Sequence, residues 1–176
     1  MRNSQVEKNA LIQIAGFMAA AARTAPKAKG IDNIKILIIS TEKEKLKLIN
    51  AMNEAAGKHD KPGFKRDAQN LKHTGAILFI GTKAVPIGLT YCGFCGYKDC
   101  ASLIKAKGIC AYNSIDLGIA AGSAVSIAGD FKIDNRIMYS AGKAALNINL
   151  FKDKAVKAAL AIPLSATGKN VFFDRK

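Results

Sequence analysis

Long apolar runs are missing from this sequence. No stretch approaches the roughly 20 apolar residues that a membrane-spanning helix needs. A secretory signal is also missing, because Glu7, Lys8, Asn9 and Gln13 interrupt the first twenty residues. We therefore expect a soluble cytoplasmic protein. In that reducing compartment structural disulfides are rare, and clustered cysteines usually serve metals or redox chemistry.

Acidic residues are scarce as well. The chain has 13 Asp and Glu against 27 Lys and Arg, which gives a formal net charge of +14. Such an excess raises nucleic acid, an anionic membrane or an anionic cofactor as partners. However, the lysines are spread along helical faces, as in residues 42–47, and no aromatic residues interleave with them to stack on bases. We expect a solvated basic surface that binds neither membrane nor nucleic acid.

Internal repeats, low-complexity tracts and linkers are also absent. A length of 176 residues suits one domain, and 49% apolar with 23% charged residues is an ordinary globular composition. A chain of this size can bury enough surface to fold without covalent staples. We predict a single domain over residues 1–176, in which the cysteines are not needed to hold the fold.

Helical and strand patterns alternate along the chain. Apolar residues recur at helical spacing over 4–22, and this helix should end before Pro26, which opens a loop over 26–30. Thr41 and Glu44 form a capping-box pattern, which predicts a helix to about residue 56 that Gly57 stops. The other predicted elements are a helix over 64–72 and strands over 34–39, 75–80, 137–140 and 158–163.

Another helix is predicted from Ser114, as its cap, to about Ala128. Its small residues would let a second backbone approach closely; they are Gly118, Ala121, Gly122 and Ala124. Together these elements predict an α+β or α/β fold around one sheet. The apolar tail, residues 171–173, should pack either within the chain or against a partner.

The four cysteines of the chain lie within one short segment. Cys92, Cys95, Cys100 and Cys110 have the spacing C-x2-C-x4-C-x9-C, inside a glycine-rich, irregular stretch. Four thiolates from one loop supply a complete ligand set, and Gly93 and Gly96 allow the tight turns that such a loop requires. We predict a metal-binding loop over residues 91–110, most simply for an iron–sulfur cluster.

Zinc and metal-free thiols are the alternatives to a cluster. Zinc sites of four cysteines usually contain two C-x2-C knuckles, and only Cys92 and Cys95 form one here. The spacing also differs from both common ferredoxin patterns, so it does not define the cluster type. His59 and His73 lie apart from the cysteines in sequence, and we interpret them as surface or core residues.

Four segments together resemble a prokaryotic family of uncharacterised proteins described as containing a ferredoxin domain. The segments are Cys92-Gly93-Phe94-Cys95-Gly96-Tyr97, residues 115–120, residues 134–140 and residues 162–170. The resemblance covers most of the chain and implies an iron–sulfur cluster, with 4Fe–4S as the expected type. It implies no substrate, because the family has no established reaction.

A second resemblance is to the flavin-dependent nitroreductase superfamily. Residues 21–27, which contain Ala25-Pro26, look like that superfamily's Ala-Ala-x-x-Ala-Pro-Ser segment before its first core strand. The helix carrying Asp116, Gly118 and Ala120, followed by residues 137–140, looks like its central helix and the segment after it. The resemblance implies a nitroreductase-like α+β fold with a central, mostly antiparallel sheet flanked by helices, an intertwined homodimer, and FMN at the subunit interface.

The sequence departs from this superfamily at the flavin phosphate. The Arg-Arg-Ser type motif is absent, and Gly30 and Asp32-Asn33 stand where Asn and Gln are expected. Other residues with suitable donors are Arg23, Thr24, Lys27, Lys169 and Arg175. Two of them have simpler interpretations, Arg23 as a charge at a helix C-terminus and Lys169 as part of a turn.

Two functions follow from the sequence. One is a redox protein that passes electrons between a cluster on the cysteines and a flavin or small substrate, with an unknown redox partner. The other is a non-enzymatic binding or regulatory module that zinc or an iron–sulfur cluster stabilises. No pattern of residues indicates a general acid, a base or a nucleophile, so any catalysis would depend on the cofactors.

Overall fold

The computed structural model describes residues 3–173. Six helices and four strands make up its regular structure, together with a short 3-10 turn over Ala28–Gly30. In chain order they are α1 (Asn3–Thr24), β1 (Ile34–Ile39), α2 (Glu42–His59), α3 (Pro62–Leu71), β2 (Ala76–Lys83), α4 (Cys100–Lys105), α5 (Ala111–Asp130), β3 (Asp134–Asn135), α6 (Tyr139–Asn147) and β4 (Val156–Ser165). Within the described residues no helix has the length and apolar character to cross a membrane.

The four strands form one antiparallel sheet in the order β1-β2-β4-β3. Strand β2 lies inside the sheet, and successive side chains along it point to opposite faces. Leu78 and Ile80 enter one core, whereas Ile77 and Phe79 enter the other. Both faces of β2 are therefore covered, which explains its continuous apolar sequence.

The helices form a layer on each face of the sheet. Helices α1 and α5 pack on one face through small and apolar side chains, including Ala15, Ala22, Ala121 and Ala124. Helices α2, α3 and α6 pack on the other face around Met52. The structure confirms the predicted α+β architecture with a central antiparallel sheet flanked by helices.

Helix α2 begins as predicted but ends later. The Thr41 hydroxyl accepts a hydrogen bond from the Glu44 N–H at 3.3 Å, which caps the helix. The predicted stop at Gly57 is wrong, because the helix continues to His59 and ends at Asp60 in a left-handed conformation. One glycine costs a helix only about 1 kcal/mol, and tertiary packing compensates for that easily.

Two further boundaries differ from the prediction. Helix α5 begins at Ala111 with Cys110 as its N-cap, so Ser114 lies inside the helix and caps nothing. The strand predicted over 137–140 is wrong: Met138 makes an isolated bridge to Ala161, and α6 starts at Tyr139. The strand preference of Ile137 and Tyr139 was overridden by the packing of α6 against β4.

The small residues of α5 and the apolar tail, residues 171–173, each agree with the prediction in part. Ala121 and Ala124 are buried against α1, but Gly118 and Gly122 face away from it and are exposed. In the tail Phe172 is buried within the chain, whereas Phe173 is exposed beneath the guanidinium of Arg136. The tail is thus held largely by contacts inside one chain.

Candidate metal centre

The connection from β2 to α5 contains all four cysteines. After Lys83 the chain leaves the sheet, forms an irregular loop and the short helix α4, and enters α5. Cys92, Cys95, Cys100 and Cys110 all line one cavity of about 400 Å³ within this connection. Cysteines up to eighteen positions apart in the chain thus line the same cavity, as the ligands of a single metal group would.

Left-handed backbone conformations fold the cysteine loop. Tyr91, Gly93 and Gly96 have φ angles of 54°, 65° and 80°, a region that glycine adopts without steric cost. The Gly96 N–H donates a hydrogen bond to the Gly93 carbonyl at 2.9 Å, which closes a turn around Cys95. The tight turns that the two glycines predicted are present.

Two of the cysteines lie at helix starts. Cys100 is the first residue of α4, which Asp99 caps by accepting a hydrogen bond from the Ser102 N–H at 2.7 Å. That hydrogen bond is the main reason why the pKa of the Asp99 carboxyl is lowered. Cys110 is the N-cap residue of the 20-residue helix α5. Negative charge is stabilised at a helix N-terminus, so an anionic group bound by Cys110 would be stabilised there.

A small hydrophobic cluster of its own supports the cavity. Ile87, Leu103 and Cys110 are its buried members, and Cys95 and Tyr112 pack against them. The ring of Phe94 stacks on that of Tyr112 with 5.7 Å between centroids. The cavity is thereby walled by apolar side chains, which limit the access of water to any group bound there.

The thiols surround the cavity without meeting at a point. All four cysteines are free thiols, Cys110 buried and the other three partly exposed. In residues 3–173 no three His, Cys, Asp or Glu side chains lie close enough to hold a single metal ion. A mononuclear zinc site would require thiolates about 2.3 Å from one centre. Four thiols lining one cavity are a donor set that thiolate-bound metal groups take, iron–sulfur clusters among them.

Comparison with known proteins identifies the family of this chain. The family described as "Uncharacterized protein containing a ferredoxin domain (DUF2148)" matches residues 106–175. An uncharacterised protein of Archaeoglobus fulgidus is 41% identical over 182 residues, covering 98% of this chain and 96% of its own length. The chain belongs to this ferredoxin-domain family. Membership supports a redox role in general terms.

Solved structures with a similar fold are nitroreductases. An FMN-bound nitroreductase of Desulfitobacterium hafniense superimposes with a TM-score of 0.63 at 11% identity, over 89% of this chain and 78% of the other. A nitroreductase of Bacteroides fragilis, also with bound FMN, superimposes with a TM-score of 0.62 at 10% identity. The match covers 93% of this chain and 81% of the other. At these identities the likeness shows the fold alone. This ferredoxin-domain protein therefore has a nitroreductase-like fold.

The first loop of the chain adjoins the cysteine cavity. Ala28 packs against the cluster of Ile87, Leu103 and Cys110. The Ala28 N–H lies 3.2 Å and 3.3 Å from the two carboxylate oxygens of the buried Asp116 on α5, and donates to them. The fold thus places the loop expected to contact flavin beside the loop expected to hold the cluster.

Three of the predicted flavin contacts already have partners within the chain. Arg23 donates to the Asp32 carboxylate and, at 2.9 Å, to the Ile34 carbonyl. Lys27 Nζ donates to the carbonyls of Arg23 at 2.6 Å and Ala25 at 2.8 Å, at the C-terminus of α1. The Thr24 hydroxyl donates to helix carbonyls one turn earlier. In a single copy these side chains hold the end of α1 and form no open phosphate site.

The remaining predicted contacts are not brought to the same place. Lys169 lies with Gln69, Asn70 and His73 around a small cavity after the end of β4. That end pairs with the start of β2, whereas Arg23 bonds at the start of β1, which pairs with the end of β2. Eight strand residues span roughly 25 Å, so the two sites are far apart in one chain. Arg175 lies outside the described residues.

Sequence reasoning missed one buried polar contact beside the site. Asn113, fully buried on α5, accepts a hydrogen bond from Asn33 Nδ2 at 3.0 Å and donates to the Val85 carbonyl at 2.7 Å. The contact ties β1, the start of the cysteine connection and α5 together. Its signal in the sequence was Asn113 three residues before Asp116, two polar residues on the same side of an otherwise apolar helix.

Proposed function

We propose that this protein is a redox protein that holds an iron–sulfur cluster, of the 4Fe–4S type, on Cys92, Cys95, Cys100 and Cys110. The observation that carries the proposal is that all four thiols line one cavity of about 400 Å³. Such a cluster supplies one-electron transfer when bound. The family's description as ferredoxin-domain proteins supports the same assignment.

The residues of the chain would bind and tune the group. Cys110 would present its sulfur at the N-terminus of α5, where backbone N–H groups and the helix dipole favour an anionic group. Ile87, Leu103 and Tyr112 give the cavity an apolar lining, and the ring of Phe94 stacks on that of Tyr112. Burial and helix dipoles are among the factors that set the reduction potential of such a site.

FMN does not fit the described residues of one copy. Arg23, Thr24 and Lys27 are engaged within the chain, and Lys169 lies at the other end of β2. The FMN found in similarly folded nitroreductases belongs to those proteins. A flavin here would require these side chains to exchange partners, or a second subunit to complete the site. We therefore derive no step through a flavin.

The proposal includes a homodimer and a reducing compartment. Helix α5 presents an exposed face on which Ile115 and Ile119 flank Gly118 and Gly122, and the stacked, exposed pair Phe17–Phe131 lies at the end of the same helix layer. An apolar face of this kind is suited to a second copy of the chain. A reducing compartment would keep the four thiols available to bind metal, since structural disulfides are rare there.

Anaerobic purification with metal and sulfide analysis tests the cluster. The expected result is a brown protein that carries about four iron and four sulfide per chain, with a broad violet absorption band. Replacement of Cys95 with Ser should remove most of the iron and the band. Thr90→Ala is the matched control, because Thr90 lines the same cavity without a thiol. It should keep both.

Two results would contradict the proposal. Stoichiometric zinc in a colourless sample would replace the redox protein by a metal-stabilised module. An unchanged spectrum in Cys95→Ser would remove Cys95 from the ligand set. Flavin absorbance in the same sample would show a second cofactor, for which Arg23, Thr24 and Lys27 would have to exchange partners or a second subunit would have to complete the site.

A further inference from the structure

An exposed apolar groove lies beside the cysteine connection. Val85, Ile104 and Ile109 are 48%, 61% and 40% exposed, and with Pro86 and Gly108 they line a groove of about 690 Å³. Single exposed apolar side chains are ordinary, but a contiguous group marks an interaction site. These side chains come from two separate segments that the fold brings together.

The groove and the cysteine cavity share a wall. Leu103 and Cys110 line the cavity, whereas their immediate neighbours Ile104 and Ile109 line the groove. Segment 103–110 thus borders both spaces, as does the pair Pro86 and Ile87. A molecule seated in the groove would thus lie one thickness of chain from a group held by Cys110.

Lysines surround the groove, and acidic residues do not. The segments that form it or lie beside it, 83–86, 104–109 and 154–157, contain no Asp or Glu, and their lysines are Lys83, Lys105, Lys107, Lys154 and Lys157. Lys107 and Lys157 line the groove directly. The nearby Asp153 is paired with Lys35 at 3.9 Å. An apolar centre with a basic rim is complementary to a protein surface with an acidic rim.

We infer that this groove docks a small acidic electron-carrier protein that exchanges electrons with the cluster of the proposed function, on which the inference rests. One electron would pass from the reduced carrier to the cluster, so that the carrier is oxidised by one electron and the cluster is reduced by one electron. No bond is formed or broken, and no proton is transferred. A second copy of this chain would oppose lysines to lysines across the groove, which is unfavourable. Weak redox encounters need only a small interface, and charge steers them.

Reduced flavodoxin is a suitable probe, because it is an acidic carrier whose flavin absorbance is distinct from that of an iron–sulfur cluster. Its reaction with the anaerobic, iron-loaded protein is followed by stopped flow for wild type and for Lys107→Glu/Lys157→Glu. The control is Lys43→Glu/Lys47→Glu, which makes the same charge change on exposed positions of α2, on the other face of the sheet. Dithionite reduction of all three proteins checks that the cluster is intact.

The groove variant should react about tenfold more slowly than wild type at low ionic strength, and the control about as fast as wild type. The difference in rate between the groove variant and wild type should become smaller at about 0.5 M salt, where charges are screened. Equal slowing in both variants would mean a bulk charge effect and would overturn the docking surface, as would no slowing in either. A dimer that dissociates only in the groove variant, with unchanged flavodoxin kinetics, would make the groove a self-interface and overturn it too.

Calorimetric binding of oxidised flavodoxin to metal-free protein separates this inference from the cluster proposal. If the protein never takes up iron but binds flavodoxin, and only the groove variant weakens that binding, the docking surface is supported and the cluster proposal is overturned. An iron-loaded protein whose flavodoxin affinity and rate are the same in all variants would support the cluster and overturn the surface.

Discussion

At the scale of single residues, Arg23 and Asp32 join the end of α1 to the start of β1. The Asp32 carboxylate accepts a hydrogen bond from Arg23 and another from the Ile34 N–H at 3.0 Å. Burial alone would raise the pKa of Asp32, but these hydrogen bonds and the charges of Arg23 and Lys27 together lower it below its ordinary 3.8. Arg23, which the nitroreductase resemblance suggests as a flavin contact, thus has a structural role in this ion pair.

Replacement of Asp32 with Asn should lower the free energy of unfolding at neutral pH by up to about 1 kcal/mol, since the pair is partly exposed. Because the folded-state pKa lies below the unfolded one, the carboxylate stabilises the fold above the ordinary pKa. That contribution is lost as the pH falls through the folded value. Urea unfolding from neutral pH to below pH 3.8 checks this, with Asp130→Asn, an exposed carboxylate, as control. If the difference in free energy of unfolding between wild type and Asp32→Asn stays constant across this pH range, the prediction is wrong.

Buried polar side chains also decide the path of the loops. Asp116 holds the first loop through its contact with the Ala28 N–H, and Asn113 holds the start of the cysteine connection through the Val85 carbonyl. Buried polar groups of this kind are costly unless they are paired. Each is paired here, which fixes the two loops on either side of the N-terminus of α5.

At the scale of elements, α6 lies unusually close to β4. A β-carbon added at Gly142 would stand 2.1 Å from the Ala159 carbonyl oxygen and 2.6 Å from its carbonyl carbon, both backbone atoms that cannot turn away. The close approach seats Ala141, Ala144 and Ala145 against the sheet. Gly142 thus sets the distance between the helix and the strand.

Gly142→Ala should therefore destabilise the protein by about 3 kcal/mol or more, because the added methyl group forces α6 away from β4. Gly57→Ala is the matched control: Gly57 lies in α2 with no atom within 4 Å of an added β-carbon. It should stabilise the protein by about 0.5–1 kcal/mol through helix propensity. Chemical unfolding of both variants measures the two effects. Equal effects of the same sign would refute the close contact at Gly142.

At the scale of the whole molecule, the two helix layers differ in what they expose. Helix α5 carries Ile115 and Ile119 on its open face, above the layer that packs with α1. Helix α2, on the other face of the sheet, carries isolated exposed apolar residues such as Leu46 among lysines and glutamates. The proposed dimer therefore uses the α5 face.

Ile119→Asp should convert the dimer to monomer, because an aspartate in an apolar interface would be buried without a partner. Leu46→Asp is the control with the same substitution at an exposed position on the opposite layer, and it should leave the assembly unchanged. Sedimentation at several protein concentrations distinguishes the two. If wild type is monomeric throughout, or if both variants behave alike, the α5 interface is wrong.

Much of the fold, and the group of thiols that line one cavity, could be predicted from local sequence. Strand β2 was recognisable because both of its faces are buried, which leaves a continuous apolar run. The cysteines were recognisable by chemistry, since the four of them fall within one segment. Prediction was weaker at element ends: residues 137–140 have strand-like composition, yet Tyr139 starts a helix because α6 fits against β4.

What the sequence by itself determined is the set of thiols, the basic charge, and the elements α1 to β2 together with α5 and β4. These depend on residue type and on spacing within a few turns or strands. Tertiary structure alone decided that the thiols share one cavity, that Ala28 meets Asp116 across 88 positions, and that Arg23 and Lys27 bond within the chain. Contacts between distant segments depend on how the layers pack, and no local pattern records that packing.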